Sequence, residues 1–287
     1  IIWHICMASR EESRSLITRF RPCIDLHGGK VKQIVGSTLT AASENGDNSA
    51  ASSIDAVQEN FVTDSPPSFF GELYMRDALP GGHVIMLGLG NEEAAMEALR
   101  SYPGGFHVGG GITPDNASRF LDAGASHVIV TSYVFRDGDL CWDNLGKMVN
   151  AVGKDRLVLD LSCRRKAPDS GYFVVTDRWQ KFTSLEVNSE TLTMLSEHCA
   201  EFLVHGVDVE GLRCGMLDDL IALLAQHSPL PVTYAGGASS LQDLDRVKSI
   251  GLGKVHLTIG SALDIFGGDV AYDSVVAWQR SEEASAA

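Results

Sequence analysis

Eight short apolar runs, separated by longer amphipathic stretches over most of the chain, constrain this sequence more than any other feature. They are FRPCIDL (20–26), HVIMLGL (83–89), FHVGGGI (106–112), HVIVTS (127–132), RLVLDLS (156–162), EFLVHGV (201–207), PVTYAGG (231–237) and KVHLTIGS (254–261). Such near-continuous apolar strands suit a parallel sheet covered on both faces. Between them, EEAAMEALRSY (92–102), PDNASRFLDAG (114–124), SETLTMLSEHC (189–199), MLDDLIALLAQH (216–227) and SLQDLDRVKSIG (240–251) carry apolar residues at helical spacing. Several end in Gly, the usual helix stop. Eight strands with helices between them favour a closed (β/α)8 barrel over an open doubly wound sheet. The 287 residues suffice for one such barrel and need no second domain.

Two places interrupt the alternation. Residues 38–53, TLTAASENGDNSAASS, show no periodicity and are expected to form a mobile insertion after the first strand. The Pro66–Pro67 pair marks a second irregular point. Neither reads as a domain boundary, because the alternation resumes beyond each. The expected organisation is an N-terminal extension (1–18) followed by one barrel (19–287).

The formal net charge of −14 argues against nucleic acid or an anionic membrane surface as a partner. No run of 18 apolar residues reads as a membrane span. An anionic small molecule would have to be attracted locally, and backbone N–H groups at helix N-termini can do that. The six cysteines (Cys6, Cys23, Cys141, Cys163, Cys199, Cys214) contain no C-x-x-C pair and read as small buried hydrophobes in a reducing compartment. The nine histidines lack H-x-x-x-H spacing, so no metal site is expected. The opening IIWHICMASREESRSLIT is no signal peptide as it stands, since charges follow at once. A remnant of a longer targeting segment stays open.

The two halves of the chain echo each other. A strand runs into Gly109-Gly110-Gly111, then a helix, then a strand ending at Thr131-Ser132. Later a strand runs into Gly236-Gly237, then a helix, then a strand ending at Gly260-Ser261. The acids double too: Asp25 lies in C-I-D-L and Asp160 in V-L-D-L, each ending an apolar strand. A duplicated and fused half-barrel would produce this pattern and set the acids on opposite sides of the mouth. Glycine after a strand lets backbone amides approach an oxyanion, and barrels commonly hold phosphate after strands 7 and 8. Two such cradles imply a substrate with a phosphate at each end. The competing reading of any one glycine pair is a tight turn, and of any one aspartate a cap. The repetition favours phosphate binding and complementary acid and base roles.

RPCIDLHGGKVKQIVGSTL, GGHVIML, YPGG-x-HVGGGI, GASHVIVTSYVF, RLVLDLSCRRK, TDRWQKF, EFLVHGVDVEG, PVTYAGG and GSALDIFGG together resemble an isomerase family of histidine biosynthesis. These are the phosphoribosylformimino-aminoimidazole carboxamide ribotide isomerases, in their plant and fungal forms, and the likeness covers roughly residues 19–280. The resemblance implies an Amadori rearrangement of a bisphosphorylated aminoaldose to an aminoketose, without metal or organic cofactor. It implies Asp25 as general base at C2 and Asp160 as general acid on the ring oxygen. It also implies that Trp179 stacks on the substrate imidazole, with a loop anchor as the alternative.

Some positions depart from the bacterial pattern of that family. The strand-6 His-Thr is His205-Gly206 here, the strand-2 Asp is replaced within Ile85-Met86-Leu87, and the Arg after GGGI is Thr113. Asp208 and Glu210 could orient substrate or be solvated loop acids. His27, Lys30 and Lys32 read as structural or surface residues as readily as site residues. The resemblance suggests a plastid location, with the cytoplasm as the alternative, and nothing on the chain demands an oligomeric partner, so a monomer is expected. The rival readings are the sister cyclase of the same pathway, a phosphoribosyl-anthranilate isomerase, and a barrel that only binds a phosphometabolite. The D-L-H-G-G-K run and W-Q-K-F loop oppose the first, the second cradle the next, and the paired aspartates the last.

Overall fold

Each of the eight apolar runs contains a strand. The computed structural model describes residues 17–34, 59–136, 138–176 and 179–286, so the 38–53 stretch and nearly all of the 1–18 extension lie outside the described residues. The first half is built from β1 (Cys23–His27), β2 (Lys30–Ile34), β3 (Glu59–Val62), α1 (Pro67–Arg76), β4 (Gly82–Met86), α2 (Glu92–Ser101), β5 (Phe106–Gly109), α3 (Ala117–Asp122) and β6 (His127–Val130). A short ribbon, β7 (Phe135–Arg136) and β8 (Asp139–Leu140), leads to α4 (Trp142–Val152) and β9 (Leu157–Asp160). A three-stranded antiparallel flap follows, made of β10 (Cys163–Arg165), β11 (Tyr172–Thr176) and β12 (Lys181–Glu186). The chain then runs through α5 (Ser189–Ser196), β13 (Glu201–His205), α6 (Asp218–His227), β14 (Val232–Ala235), α7 (Gln242–Ile250), β15 (Val255–Thr258) and α8 (Tyr272–Ala286).

The strands β1, β4, β5, β6, β9, β13, β14 and β15 pair in that order, every pair parallel. A parallel bridge between Phe20 and Leu257 then brings the outer edge of β15 to the segment entering β1. Arg21 N donates to Leu257 O at 2.8 Å and Leu257 N to Arg19 O at 2.9 Å. The ends of the strand order therefore meet, as a barrel requires.

Side chains alternate along a strand. One set, including Ile24, Leu26, Val84, Val108, Val128, Leu159, Val204, Tyr234 and Leu257, is buried against the helices. The other set faces the barrel interior, and its apolar part is small: Ile129, Val158 and Leu203 with Ile85 packed on them. Polar residues lie on either side of that plug. His83, His107, Glu201 and Thr233 are at the strands' N-terminal ends, Thr131, Asp160, His205 and Thr258 at or just past their C-terminal ends, and Asp25 two residues before the end of β1.

The structure corrects three expectations. The Pro66–Pro67 pair is the start of a helix, with Pro67 in the first turn of α1, where a missing N–H costs nothing. That helix buries Phe70 and Tyr74 and leaves Phe69 and Met75 about half exposed. Helices α4 and α8 likewise fall outside the stretches picked by periodicity. Of the cysteines, Cys23, Cys163 and Cys199 are buried as expected, but Cys141 is partly exposed and Cys214 exposed.

Candidate active site

The C-terminal ends of the barrel strands open into a cavity of about 340 Å3. Nearly all the residues singled out by the repeat line it, namely Asp25, Asp160, Gly110, Gly111, Thr131, Ser132, Gly236, Gly237, Gly260 and Ser261, and so does Trp179, implied by the resemblance. Gly109 does not. It sits one step down the barrel, where a Cβ would lie 2.8 Å from Ile85 Cδ1 and 3.1 Å from Ile129 Cβ, so its role is packing.

The two cradles fall on opposite sides of the strand order, after β5–β6 and after β14–β15. Gly110, at φ +93°, could not carry a side chain, because a Cβ there would lie 2.1 Å from Met86 O. The helix N-termini contribute less than expected. At the second cradle Asp243, in the first turn of α7, accepts from Ser239 N at 2.8 Å and Ser240 N at 2.9 Å. At the first, Asn116 accepts from Thr113 N at 2.8 Å. Those amides are already occupied, so an anion would depend on the glycine-loop amides and on Ser132 and Ser261 at the cavity wall.

The two aspartates have different surroundings. Asp160, 8% exposed, accepts from Ser162 Oγ at 3.0 Å, Thr131 Oγ1 at 3.2 Å and His205 Nδ1 at 3.1 Å. Burial opposes its ionisation, but the charge and hydrogen bond of His205, then Ser162 and Thr131, hold it below the usual carboxylate range. Among the described residues, Asp25 accepts only from Gln33 Nε2, at 3.2 Å. Burial and then the charge of Glu210 push it up to about 7, against His205 and Gln33. His205 is raised to about 9: burial lowers it, but Asp160, then Glu210 and Asp25, outweigh that. The mouth therefore holds one fixed anion, one carboxyl that titrates near neutrality and one imidazolium.

Several residues here escaped the sequence reading. Glu210 is not a solvated loop acid. Its Oε2 is buried without a hydrogen-bond partner among the described residues, and burial raises its pKa. Thr258 Oγ1 is buried and unpartnered in the same way. Asp208 is the solvated acid, paired with Arg164 at 2.7 Å. Arg213 is the only lysine or arginine in the cavity wall among the described residues, and it adopts a left-handed φ of +51°. His205 also lines the wall, its ring 6.3 Å from that of Trp179. Lys30 pairs with Asp64 at 2.7 Å, and Lys32 Nζ lies 3.4 Å from His27 Nδ1, so these three belong to the β1–β2 hairpin rather than the cavity wall. A two-residue parity count would have found His205, since it ends β13 as Asp160 ends β9. Among the described residues, no group of three or more His, Cys, Asp or Glu side chains could hold a metal ion, and no helix is long and apolar enough to cross a membrane.

Titrating acids at the C-terminal mouth of a parallel α/β barrel, set between two glycine-lined loops, define an enzyme of acid–base chemistry on a small anionic substrate. Residues 19–270 match the family described as "Histidine biosynthesis protein", and the chain belongs to that family. A Medicago truncatula protein named 1-(5-phosphoribosyl)-5-((5-phosphoribosylamino)methylideneamino) imidazole-4-carboxamide isomerase, chloroplastic, is 50% identical over 271 residues, 94% of this chain and 84% of that protein. Isomerases of the same name from Neurospora crassa and Saccharomyces cerevisiae are 47% and 42% identical, over 93% of this chain and all of theirs.

Proposed function

We propose that this chain catalyses the reaction its relatives are named for, the aldose–ketose isomerisation of the bisphosphorylated ribosylamino-imidazole carboxamide of histidine biosynthesis. The observation that carries the reading is the single cavity in which two opposed glycine cradles flank Asp25, Asp160 and His205. A substrate with a phosphate at each end would place its central ribosylamine over those three groups. Holding both ends fixes the reacting atoms and lowers the entropic barrier. Arg213, the only lysine or arginine in the cavity wall among the described residues, adds a counter-charge, and Glu210 Oε2 and Thr258 Oγ1, without hydrogen-bond partners among the described residues, would meet substrate hydroxyls. Trp179, partly exposed at the rim, offers its face to the imidazole.

Asp25 fits the base that takes the C2 proton, because a carboxyl titrating near 7 matches the working pH. Asp160 keeps the role of acid at the ring oxygen that the resemblance implies, with His205 hydrogen-bonded to its Oδ1 at 3.1 Å. The sister cyclase would share this barrel, its paired acids and its cradles, and it is the named relatives that favour the isomerase. A plastid location belongs to the same proposal, supported by the chloroplastic relative, with the cytoplasm as the alternative, and a monomer stays an expectation from the sequence.

The test is to incubate purified protein with the bisphosphorylated aminoaldose and follow ketose formation chromatographically. Turnover is expected, with Asp25→Asn and Asp160→Asn each slower by about 10²–10⁴-fold. A wild type that binds the substrate without converting it would reduce the chain to a binding barrel.

A further inference from the structure

The base proposed above is held from one side only. Asp25 Oδ2 accepts from Gln33 Nε2 at 3.2 Å, and its Oδ1 has no hydrogen-bond partner among the described residues. A carboxylate held in this way turns one oxygen to the protein and leaves the other for a substrate C–H. The other ionisable groups around Asp25 are Cys23 on its own strand, His205 on β13, Glu210 on the loop after β13 and Tyr74 on α1. Lys32 lies opposite it on β2, and β4 sets the apolar Ile85 in register with it. Among the described residues none of these hydrogen-bonds to its carboxyl, so Gln33 alone fixes it.

Gln33 reaches this place through the β1–β2 hairpin. The chain turns at Gly28 and Gly29, and Gly29 N donates to Asn91 Oδ1 at 2.8 Å, which anchors the turn. The antiparallel register sets Asp25 opposite Lys32, so Gln33 falls one step further down the barrel. On its other side β3 pairs with Gln33 at Phe61, whose ring packs edge-on against Phe266. Gln33 lines the cavity yet is only 4% exposed. Burying a long amide costs rotamer entropy and hydration, so both of its ends need a place. The nitrogen has Asp25 and, at 3.9 Å, Cys23 Sγ. The oxygen abuts Gly260, where a Cβ would lie 2.6 Å from Gln33 Oε1. Gly260 has no left-handed φ that would demand glycine, so its missing side chain answers to Gln33. One side chain thus spans the base and the strand end of the second cradle.

We propose that Gln33 is the positioning residue of the base, holding Asp25 Oδ2 so that Oδ1 faces C2 of the aminoaldose, and that position 260 is glycine to seat it. The inference rests on the isomerase reading above. The amide supplies a donor that adds no charge and cannot take the C2 proton itself. Its hydrogen bond favours the ionised carboxylate, against the burial and the Glu210 charge that oppose it. Losing Gln33 therefore has two separable effects. The base ionises at higher pH, and even when ionised its oxygen is free to turn away from C2.

Wild type, Gln33→Met, Gln33→Glu and Gly260→Ala would be compared by pH profiles of kcat and kcat/KM for the aminoaldose, with melting temperature and product binding as fold controls. The wild-type kcat/KM should rise through about pH 7 as Asp25 ionises. Gln33→Met fills the space but has no donor. Its acidic limb should move up by about one pH unit. Above that limb its kcat should stay about 10-fold low while KM changes little, because the misplaced oxygen remains misplaced. Gln33→Glu sets a second carboxyl beside the first, so the two share a proton and the limb should move further. Gly260→Ala should lower kcat in the same way. That loss should vanish when Gly260→Ala is made in a Gln33→Ala background, which has room for the added methyl. If Gln33→Met keeps the wild-type limb and kcat and only melts lower, Gln33 is a packing residue and the proposal is overturned while the isomerase reading stands. A Gly260→Ala loss that persists in the Gln33→Ala background overturns the link to Gly260. A wild type without turnover overturns both readings.

Discussion

At the scale of single residues, the site is a study in how surroundings divide labour among similar groups. Asp25 and Asp160 occur in almost the same four-residue context, yet one is surrounded by donors and the other by a single amide. The difference has a measurable cost to stability. The Asp25 carboxyl is raised to about 7 in the fold, by burial first and then by Glu210. A raised carboxyl holds its proton longer in the folded than in the unfolded chain. Stability is therefore highest below the unfolded value near 3.9 and is lost as pH rises toward 7. Asn at this position carries no charge to bury and keeps an oxygen for Gln33. Asp25→Asn is expected to unfold at higher urea at pH 8, by on the order of 1–3 kcal/mol, with a smaller gain at pH 4. An equal gain at both pH values would mean that ionisation is not its origin. The sequence could name both acids from their repeated motif. It could not say which would be ionised, because that depends on Thr131, Ser162, His205 and Glu210 arriving from other elements.

At the scale of elements, the proposed anion sites rest on the loops more than on the helices they lead into. Asp243 and Asn116 cap their own loops, so on the proposed reading the glycine backbone would meet the phosphates. Gly110 has the tightest constraint in the first cradle, with left-handed φ and the Met86 carbonyl against its α-carbon. Gly110→Ala should destabilise the protein by about 1–3 kcal/mol through the strained backbone alone. It should also raise KM more than it lowers kcat, since the phosphate end moves and the acids do not. Steady-state kinetics beside a denaturation curve would separate the two, and an unchanged KM would remove Gly110 from the cradle. All eight barrel strands were legible as apolar runs, because a parallel strand covered by helices must be apolar on its outer face. Helix α1 was not, since the Pro66–Pro67 pair at its start reads as a break rather than as a helix N-terminus. The β10–β12 flap was missed for another reason. Its residues pair with one another outside the barrel, and no strand–helix rhythm announces them.

At the scale of the molecule, the barrel interior carries chemistry at both ends. The N-terminal end is closed by Arg21 and Glu201, 3.6 Å apart and both nearly buried, with Thr233 donating to Glu201 at 2.7 Å. Three histidines lie around this pair, His83 and His107 buried and His256 half-buried. His83 and His256 are lowered to about 3 and His107 well below its usual value, chiefly by burial, with the Arg21 charge acting in the same direction on all three. The unfolded chain would bind protons at these sites near pH 6.5 while the folded chain does not. Their stability is thus intact above about 6.5 and lost progressively as pH falls toward 3. Urea midpoints measured from pH 7 to pH 4 should fall less steeply in His107→Gln than in wild type, by about one proton's linkage or 1.4 kcal/mol per pH unit. Parallel slopes would mean that His107 is already charged in the fold.

The sequence by itself determined the barrel and the identity of its two repeated acids. Both follow from local rules: a strand must show its neighbours an apolar face, and a phosphate loop needs glycine. Only the tertiary structure decided that His205 binds Asp160, that Glu210 turns inward while Asp208 stays in solvent, and that Gly109 packs rather than cradles. Those outcomes depend on which side chains converge from strands far apart in the chain, and on how much water is left around the charges when they meet.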